Sequence, residues 1–166
     1  MAARVDRQLL GFVSALQVLA SSPAFDRGDI DSLHRHAAEM KRILGSEILV
    51  KDASGQQLVN TRADLSGPLP LSLPEGDRKA IATRQPVVSD LFTGKAVQRP
   101  IVSVNVPIIR DGNVVGLVNA GIDPGRLSAV LLQAELPQDA TMFLIAGASV
   151  DQFVRDLADH FRPPGA

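Results

Sequence analysis

Cysteine, tryptophan and tyrosine are all absent from this chain of 166 residues, and six phenylalanines are its only aromatic residues apart from histidine. Without cysteine there can be no disulfide scaffold, thiolate zinc site, iron–sulfur cluster or cysteine nucleophile. With so few aromatic rings, the chain offers little for a base-stacking platform or an aromatic carbohydrate-binding surface. Aliphatic residues must therefore build the core.

An excess of charge and a long hydrophobic run are also missing. The formal net charge is −1, and acidic and basic residues are spread along the sequence, so the basic surface required by nucleic acid or an anionic membrane is not expected. The longest apolar stretches, such as 114–122, extend over about nine residues, whereas a membrane-spanning helix needs about 20. Met1–Arg7 does not resemble a secretory signal. We therefore predict no nucleic-acid partner, and a membrane connection only through helices outside this sequence.

Hydrophobic residues make up 45% of the chain. A chain of this length can bury about two thirds of its unfolded surface in one core. We therefore predict a single domain over 1–166, with an N-terminal helix at about 4–21, a core at about 29–146 and a C-terminal helix at about 150–161.

Helical periodicity is clearest in the first 45 residues. Apolar residues separated by three and four positions predict an amphipathic N-terminal helix that ends near Pro23. A second helix should begin after Gly28, with Asp29 as its N-cap and Gly45 as its C-cap. A shorter helix is predicted at Glu75–Arg84, bounded by Pro74 and Pro86.

Runs of β-favouring residues separated by turn residues predict hairpins. The first joins Glu47–Lys51 to Gln57–Thr61, and a longer one joins Pro100–Ile109 to Val114–Ile122. Because hairpins rather than helical crossovers connect these strands, the sheet should be antiparallel and the fold class α+β. The remaining predicted segments are a loop at Ala63–Pro74, a strand at Val87–Phe92, a helix at Arg126–Glu135, a strand at Thr141–Ala146 and a helix at Val150–Phe161.

Strand alternation in the long hairpin predicts two dissimilar faces. If Ile109 pairs with Val114, Asn119 shares a face with Val102, Val104, Val106 and Ile108. Ser103 and Asn105 then lie on the opposite, smaller and more polar face.

Three sequence runs resemble the sheet core of Cache sensor domains, which precede bacterial histidine kinases and cyclic-dinucleotide enzymes. These runs are Val87–Gly94, Arg99–Pro107 and Arg110–Gly121. Leu19–Ala24 and Ile48–Arg62 fit the same pattern, so the resemblance covers about Leu9–Ala146. The sequence departs from the pattern after Phe143, where Gly147 onward leads into a polar helix instead of another aspartate-glycine hairpin.

The resemblance implies a PAS-like antiparallel sheet of about five strands, with the long N-terminal helix on one face and a small-molecule pocket under helices and loops on the other. It also implies an extracytoplasmic, periplasmic sensing domain of an inner-membrane receptor of the histidine-kinase kind. Such a domain binds a small organic ligand, for example a carboxylate or amino acid, and signals through its terminal helices. The alternative is a PAS-like module without a pocket that only dimerises.

Six residues are candidates for ligand binding. Arg62 could hold a carboxylate in bidentate fashion, or could be a solvated loop residue. Asp90, between Val88 and Phe92, should share their face, where an inward carboxylate needs a partner or else caps the strand end. Phe92 could form a pocket wall or belong to the core. Asparagine is disfavoured inside strands, so Asn105 and Asn119 indicate either pocket lining or bonds to a loop. Small neighbours around Ser103 would leave room for a ligand.

We expect no metal, cofactor or catalytic activity. His34 and His36 are two positions apart on a helix and cannot share one ion. No serine lies in a nucleophile elbow, and no glycine-rich phosphate loop is present. The loop residues Lys95 and Arg99 should be solvated. The apolar stripe of the N-terminal helix could either close the core or pair with a second copy in a homodimer.

Overall fold

The computed structural model of this protein describes residues 2–62, 67–94, 100–123 and 125. Four helices and six strands occur in this part of the chain. The helices are α1 (Ala2–Ala20), α2 (Pro23–Asp26), α3 (Ile30–Leu44) and α4 (Glu75–Thr83). The strands are β1 (Glu47–Asp52), β2 (Gln57–Asn60), β3 (Val87–Val88), β4 (Phe92–Thr93), β5 (Pro100–Arg110) and β6 (Asn113–Ile122).

The strands form one antiparallel sheet in the order β2-β1-β6-β5-β3, with β4 paired to the start of β5. Both predicted hairpins are present, since β1 pairs with β2 and β5 with β6. The α+β fold class is confirmed, and the sheet has six strands where about five were predicted.

Helices α1 and α3 cover one face of the sheet, which we call the helix face. Leu9, Phe12, Leu16 and Leu19 of α1 are buried there against β5 and β6. The predicted caps of α3 are confirmed, because Asp29 accepts a hydrogen bond from the Ser32 N–H and Gly45 adopts the left-handed conformation. The one-turn helix α2, which begins after the N-cap Ser22, was not predicted.

Arg110, at the tip of the long hairpin, holds the end of α1. Its guanidinium lies 2.7 Å from Asp26 Oδ1 and donates to the carbonyl oxygen of Ala20, the last residue of α1, at 3.1 Å. A cation at this position complements the carbonyl dipoles of the helix end, where α1 has no basic residue of its own. The hairpin and α1 are therefore directly coupled.

A β-bulge in the long hairpin changes which residues share a face. Ile109 pairs with Val114 as predicted, but Ile108 pairs with Gly116, so Val115 is an extra residue. Such an insertion shifts every following side chain to the other face. The prediction that Asn119 lies on the aliphatic face with Val104 is therefore wrong, because Asn119 is the direct partner of Asn105.

The predicted strand Val87–Phe92 is divided into β3 and β4. Val88 pairs with Val104, on the helix face, whereas Phe92 pairs with Ile101, whose alternation places it on the opposite side. Val88 and Phe92 therefore do not share a face. The prediction that Asp90 shares a face with both is wrong, because Asp90 lies in the break between the two short strands.

Helix α4 and the loop at 67–74 lie on the second face of the sheet, which we call the polar face. A small apolar cluster formed by Ala80, Val87 and Leu117 attaches α4 to the sheet. The loop is tied to the first hairpin by a bridge between Leu71 and Gln56 and by the Ser72 N–H, which donates to the Gly55 carbonyl.

Several predictions fall outside the described residues: the helix at Arg126–Glu135, the strand at Thr141–Ala146, the helix at Val150–Phe161, and the loop residues Lys95 and Arg99. Among the helices of the described part, none combines the length and the hydrophobicity needed to cross a membrane.

Candidate ligand-binding site

Asn105 and Asn119 meet at the centre of the polar face. The two residues are 1% and 4% exposed, and the Asn119 Nδ2 donates to Asn105 Oδ1 at 2.7 Å. The Asn105 Nδ2 in turn donates to the carbonyl oxygens of Val87 and Ser103. Both asparagines therefore belong to one buried hydrogen-bond network.

A buried ion pair continues this network toward α4. Lys51 Nζ lies 2.6 Å from Asp77 Oδ2, and the two side chains are 4% and 2% exposed. Asn119 Nδ2 donates to the other carboxylate oxygen, Asp77 Oδ1, at 2.8 Å. Lys51 also donates to the Ser72 carbonyl. Strands β1, β5 and β6, helix α4 and the loop at 67–74 are thus joined at one point.

The electrostatics of Asp77 reflect this burial. Loss of hydration raises the pKa of the Asp77 carboxyl above its usual range. The charge and hydrogen bond of Lys51 and the bond from Asn119 act in the opposite direction without cancelling the rise.

One acceptor in this network has no donor among the described residues. Asn119 Oδ1 is buried, and no group of the described residues donates a hydrogen bond to it. A buried acceptor without a partner costs roughly 1–3 kcal/mol. Such a group in a folded protein calls for an explanation, such as a bound water, ion or ligand. Gln8 Oε1 on α1 is a second buried oxygen of this kind.

Gly121 leaves the polar face without a side chain two residues beyond Asn119. Gly121 is the partner of Ser103 and is only partly buried, and a Cβ added to it would meet no described atom within 4 Å. Leu49, the partner of Asn119 on β1, is half-buried. Ser103 itself is buried, and its N–H donates to Ser89 Oγ at 2.9 Å. The neighbours of Asn119 along this face of the sheet are therefore either small, as Ser103 and Gly121 are, or only partly buried, as Leu49 is.

The other three predicted residues lie farther from this centre. Arg62 is exposed after β2, and its backbone N–H donates to Asn60 Oδ1. Burial alone would raise the pKa of the Glu47 carboxyl, but the hydrogen bonds from Lys41 and Thr61 and the charges of Lys41 and Arg62 lower it overall. The charge of Arg62 is therefore one of the causes that lower this pKa. Asp90 is exposed and Phe92 half-buried. The structure brings Ser103, Asn105 and Asn119 together. It places Arg62 and the Asp90–Phe92 segment at the two opposite edges of the sheet.

Sequence reasoning missed Lys51 and Asp77. A signal for each was present, because each is a charged residue at a position where the periodicity expects an apolar one. Lys51 is two residues from Leu49 on one strand face, and Asp77 is three residues before Ala80 on the apolar stripe of α4. Neither signal identified the partner. In the described part of the chain, no cluster of three His, Asp or Glu side chains is suited to hold a metal ion.

No protein-family model matches the sequence, and no curated protein does. The fold matches solved structures. The ligand-binding domain of the Campylobacter jejuni chemoreceptor Tlp3, in complex with L-valine, has a TM-score of 0.63 at 15% identity, over 82% of this chain and 61% of that chain. The ligand-binding domain of the Pseudomonas aeruginosa amino acid chemoreceptor PctC, in complex with GABA, gives 0.59 at 23% identity, over 78% and 62%.

This is the fold of a bacterial sensor domain. A histidine kinase sensor domain, that of Vibrio cholerae DctB, also matches, with a TM-score of 0.53 at 15% identity over 70% of this chain and 45% of that one. The fold implied by the resemblance to Cache sensor domains is therefore confirmed. The chain spans about three fifths of the length of the two chemoreceptor domains.

Proposed function

We propose that this chain is the small-molecule sensing domain of a bacterial signal-transduction receptor, exposed outside the cytoplasm and without catalytic activity. The observation that carries the proposal is the buried Asn119 Oδ1, to which no described group donates, set beside Asn105, Ser103 and Gly121 on the polar face of a sensor-domain fold. A ligand that donates a hydrogen bond there removes the cost of the unpaired acceptor. Two proteins with similar folds were solved with L-valine and with GABA bound. We therefore propose that the ligand of this chain is a molecule of similar size.

The ligand would lie over Asn119, Gly121 and Ser103, with the half-buried Leu49 side chain as a neighbour. Arg62 beyond β2 and the Asp90–Phe92 segment beyond β5 are proposed to contact it from opposite sides. An exposed arginine and an exposed aspartate at the two ends suit a ligand that carries both a carboxylate and an ammonium group.

Transmission would pass through the sheet. The proposed site is on the polar face, α1 is packed on the helix face, and Arg110 ties the hairpin tip to the end of α1. A ligand shifts α1 only if it binds two arrangements of the sheet and helices with different free energies. A difference of about 1.4 kcal/mol changes the ratio of the two states tenfold.

We expect an amino acid or small carboxylate to raise the melting temperature of this protein. A ligand at 100 times its dissociation constant stabilises the folded state by about 2.7 kcal/mol. For a domain of this size, that corresponds to a rise of roughly 5–10 °C. A thermal-shift screen of amino acids and organic acids, followed by calorimetry of the compounds that respond, measures it.

The matched control is Gly121→Leu. Its side chain enters space that no described atom occupies, so the variant should keep its melting temperature without ligand and lose the rise with ligand. If no compound stabilises the protein, or if Gly121→Leu responds as strongly as the wild type, sensing at this site is excluded.

We further propose that α1 pairs with α1 of a second copy. Its outward side carries Leu10 and Val18, which are 49% and 68% exposed, and Gly11, at which a Cβ would meet no described atom within 4 Å. Val18→Lys should therefore weaken a homodimer at least tenfold, measured by analytical ultracentrifugation. Ile43→Lys on α3 is the matched control, because Ile43 is 66% exposed and lies on another helix. A monomeric wild type, or equal dissociation of both variants, would contradict the pairing.

A dimerisation module without a ligand is the second candidate. The exposed side of α1 favours it. The buried Asn119 oxygen does not, since no described group donates to it and a module without a ligand gains nothing from such an acceptor.

A further inference from the structure

The neighbours of each amide on the polar face fix which of its atoms donates a hydrogen bond and which accepts one. Asn105 donates both bonds of its Nδ2 to backbone carbonyls, those of Val87 at 3.1 Å and Ser103 at 3.3 Å. Backbone carbonyls cannot donate, so the Asn105 amide is fixed with its oxygen toward Asn119. Asn105 Oδ1 can only accept.

The ion pair between Lys51 and Asp77 also fixes which atom of the Asn119 amide donates. Lys51 Nζ is 2.6 Å from Asp77 Oδ2 and has no acceptor capacity, so the carboxylate is held as an acceptor. Asn119 Nδ2 therefore faces two acceptors, Asp77 Oδ1 at 2.8 Å and Asn105 Oδ1 at 2.7 Å. Both of its hydrogens are used.

Rotation of the Asn119 amide by half a turn is excluded by these neighbours. It would place Oδ1 in the Nδ2 position, less than 3 Å from two oxygens that carry partial or full negative charge. The observed orientation leaves Asn119 Oδ1 as an acceptor only, and no described group donates to it.

We infer that Lys51, Asp77 and Asn105 act as positioning residues that fix the polarity of Asn119, so that the site selects ligands presenting an N–H or O–H donor at this point. The inference rests on the proposed function and goes further than it, because it names the hydrogen-bonding group by which a ligand is accepted or rejected. Primary amines and hydroxyl compounds are accepted. A quaternary ammonium of the same charge, which has no hydrogen to donate, is rejected.

The test compares ligands that differ by one donor. Calorimetry is performed on the wild-type chain with L-valine, N,N-dimethyl-L-valine and N,N,N-trimethyl-L-valine, and with GABA and its trimethyl derivative. The dimethyl compound keeps one N–H at nearly the bulk of the trimethyl compound. We expect the trimethyl compounds to bind about 10- to 100-fold more weakly than the compounds with an N–H. Equal affinity of dimethyl- and trimethyl-valine overturns the inference while leaving ligand sensing intact.

Two variants test whether the preference for N–H compounds depends on Asn119 itself or is lost whenever a buried amide is removed. Asn119→Leu should remove the preference for the N–H compounds. Asn60→Leu is the matched control, because Asn60 is a buried amide whose oxygen already accepts the Arg62 N–H. Loss of its bond to the Arg62 backbone should weaken every compound to a similar extent and should keep the preference. Loss of the preference in both variants, or in neither, contradicts the assignment to Asn119.

A second measurement does not depend on a ligand. In ¹H–¹⁵N spectra, the Asn119 side-chain amide is identified by its loss in Asn119→Leu, and both of its protons should exchange with water far more slowly than those of the exposed Asn113. Fast exchange of either proton overturns the fixed polarity. Slow exchange of both, with no compound of the series bound, leaves the polarity standing and excludes the proposed function for these ligands.

Discussion

Lys51→Met should lower the free energy of unfolding by about 3–5 kcal/mol at neutral pH, because it leaves the Asp77 carboxylate buried without its counter-charge. The two side chains are 4% and 2% exposed, so water cannot replace the lost partner. Equilibrium urea unfolding, followed by circular dichroism, measures the difference between variant and wild type.

The double variant Lys51→Met/Asp77→Leu is the control. When both charges of a buried pair are replaced by apolar groups of similar size, the net effect on stability is often neutral or favourable. The double variant should therefore recover most of the stability lost in Lys51→Met. If it is as unstable as Lys51→Met, the loss comes from packing rather than from the unpaired carboxylate.

The pH dependence gives an independent check of the same explanation. The folded-state pKa of Asp77 is raised above its ordinary value of 3.8, so the stabilising contribution of its proton is complete below about pH 4 and is lost as the pH rises through the folded-state pKa. Lys51 lowers this pKa, so its removal raises it further. The destabilisation by Lys51→Met should consequently be small near pH 4 and reach its full size at neutral pH. An effect of equal size at both values contradicts the electrostatic explanation.

The parts of the fold that follow local rules were predictable from the sequence. Asp29 and Gly45 bound α3 because a side-chain cap and a left-handed glycine act within one helical turn. The hairpin turn at Asp111 and Gly112, where both residues have positive φ, is likewise a local property.

The arrangement of the site depends on contacts that local patterns do not specify. Asp77 lies 26 residues from Lys51 and 42 from Asn119 in the sequence. The alternation pattern correctly predicted that Asn105 lies in a strand. It could not reveal the extra residue Val115, because the residues before and after a bulge are still of types that favour strands. A signal for the break at Asp90 was present, because Ser89 and Asp90 are residues typical of turns. The apolar residues on both sides, Val87–Val88 and Leu91–Phe92, nevertheless favoured one continuous strand.

Gly116 follows this bulge, and the space around it explains why the residue there has no side chain. A Cβ at Gly116 would lie 2.5 Å from the Lys51 carbonyl oxygen and 2.6 Å from Phe25 Cζ. Phe25 packs against the core of the helix face and could turn aside, but the carbonyl oxygen belongs to the backbone of the neighbouring strand. Gly116→Ala must therefore force β1 and β6 apart, at a cost of about 2–3 kcal/mol.

Gly121→Ala provides the comparison on the same strand. Its Cβ would meet no described atom within 4 Å, so its stability should remain within about 0.5 kcal/mol of the wild type. Both variants are measured by urea unfolding, and Gly116→Ala is also tested for ligand binding. Separation of β1 from β6 would move Lys51 away from Asp77 and release the Asn119 amide, so Gly116→Ala should reduce the preference for N–H ligands although Gly116 lies on the opposite face. If Gly116→Ala is as stable as Gly121→Ala, β1 and β6 do not approach each other as closely as this packing requires.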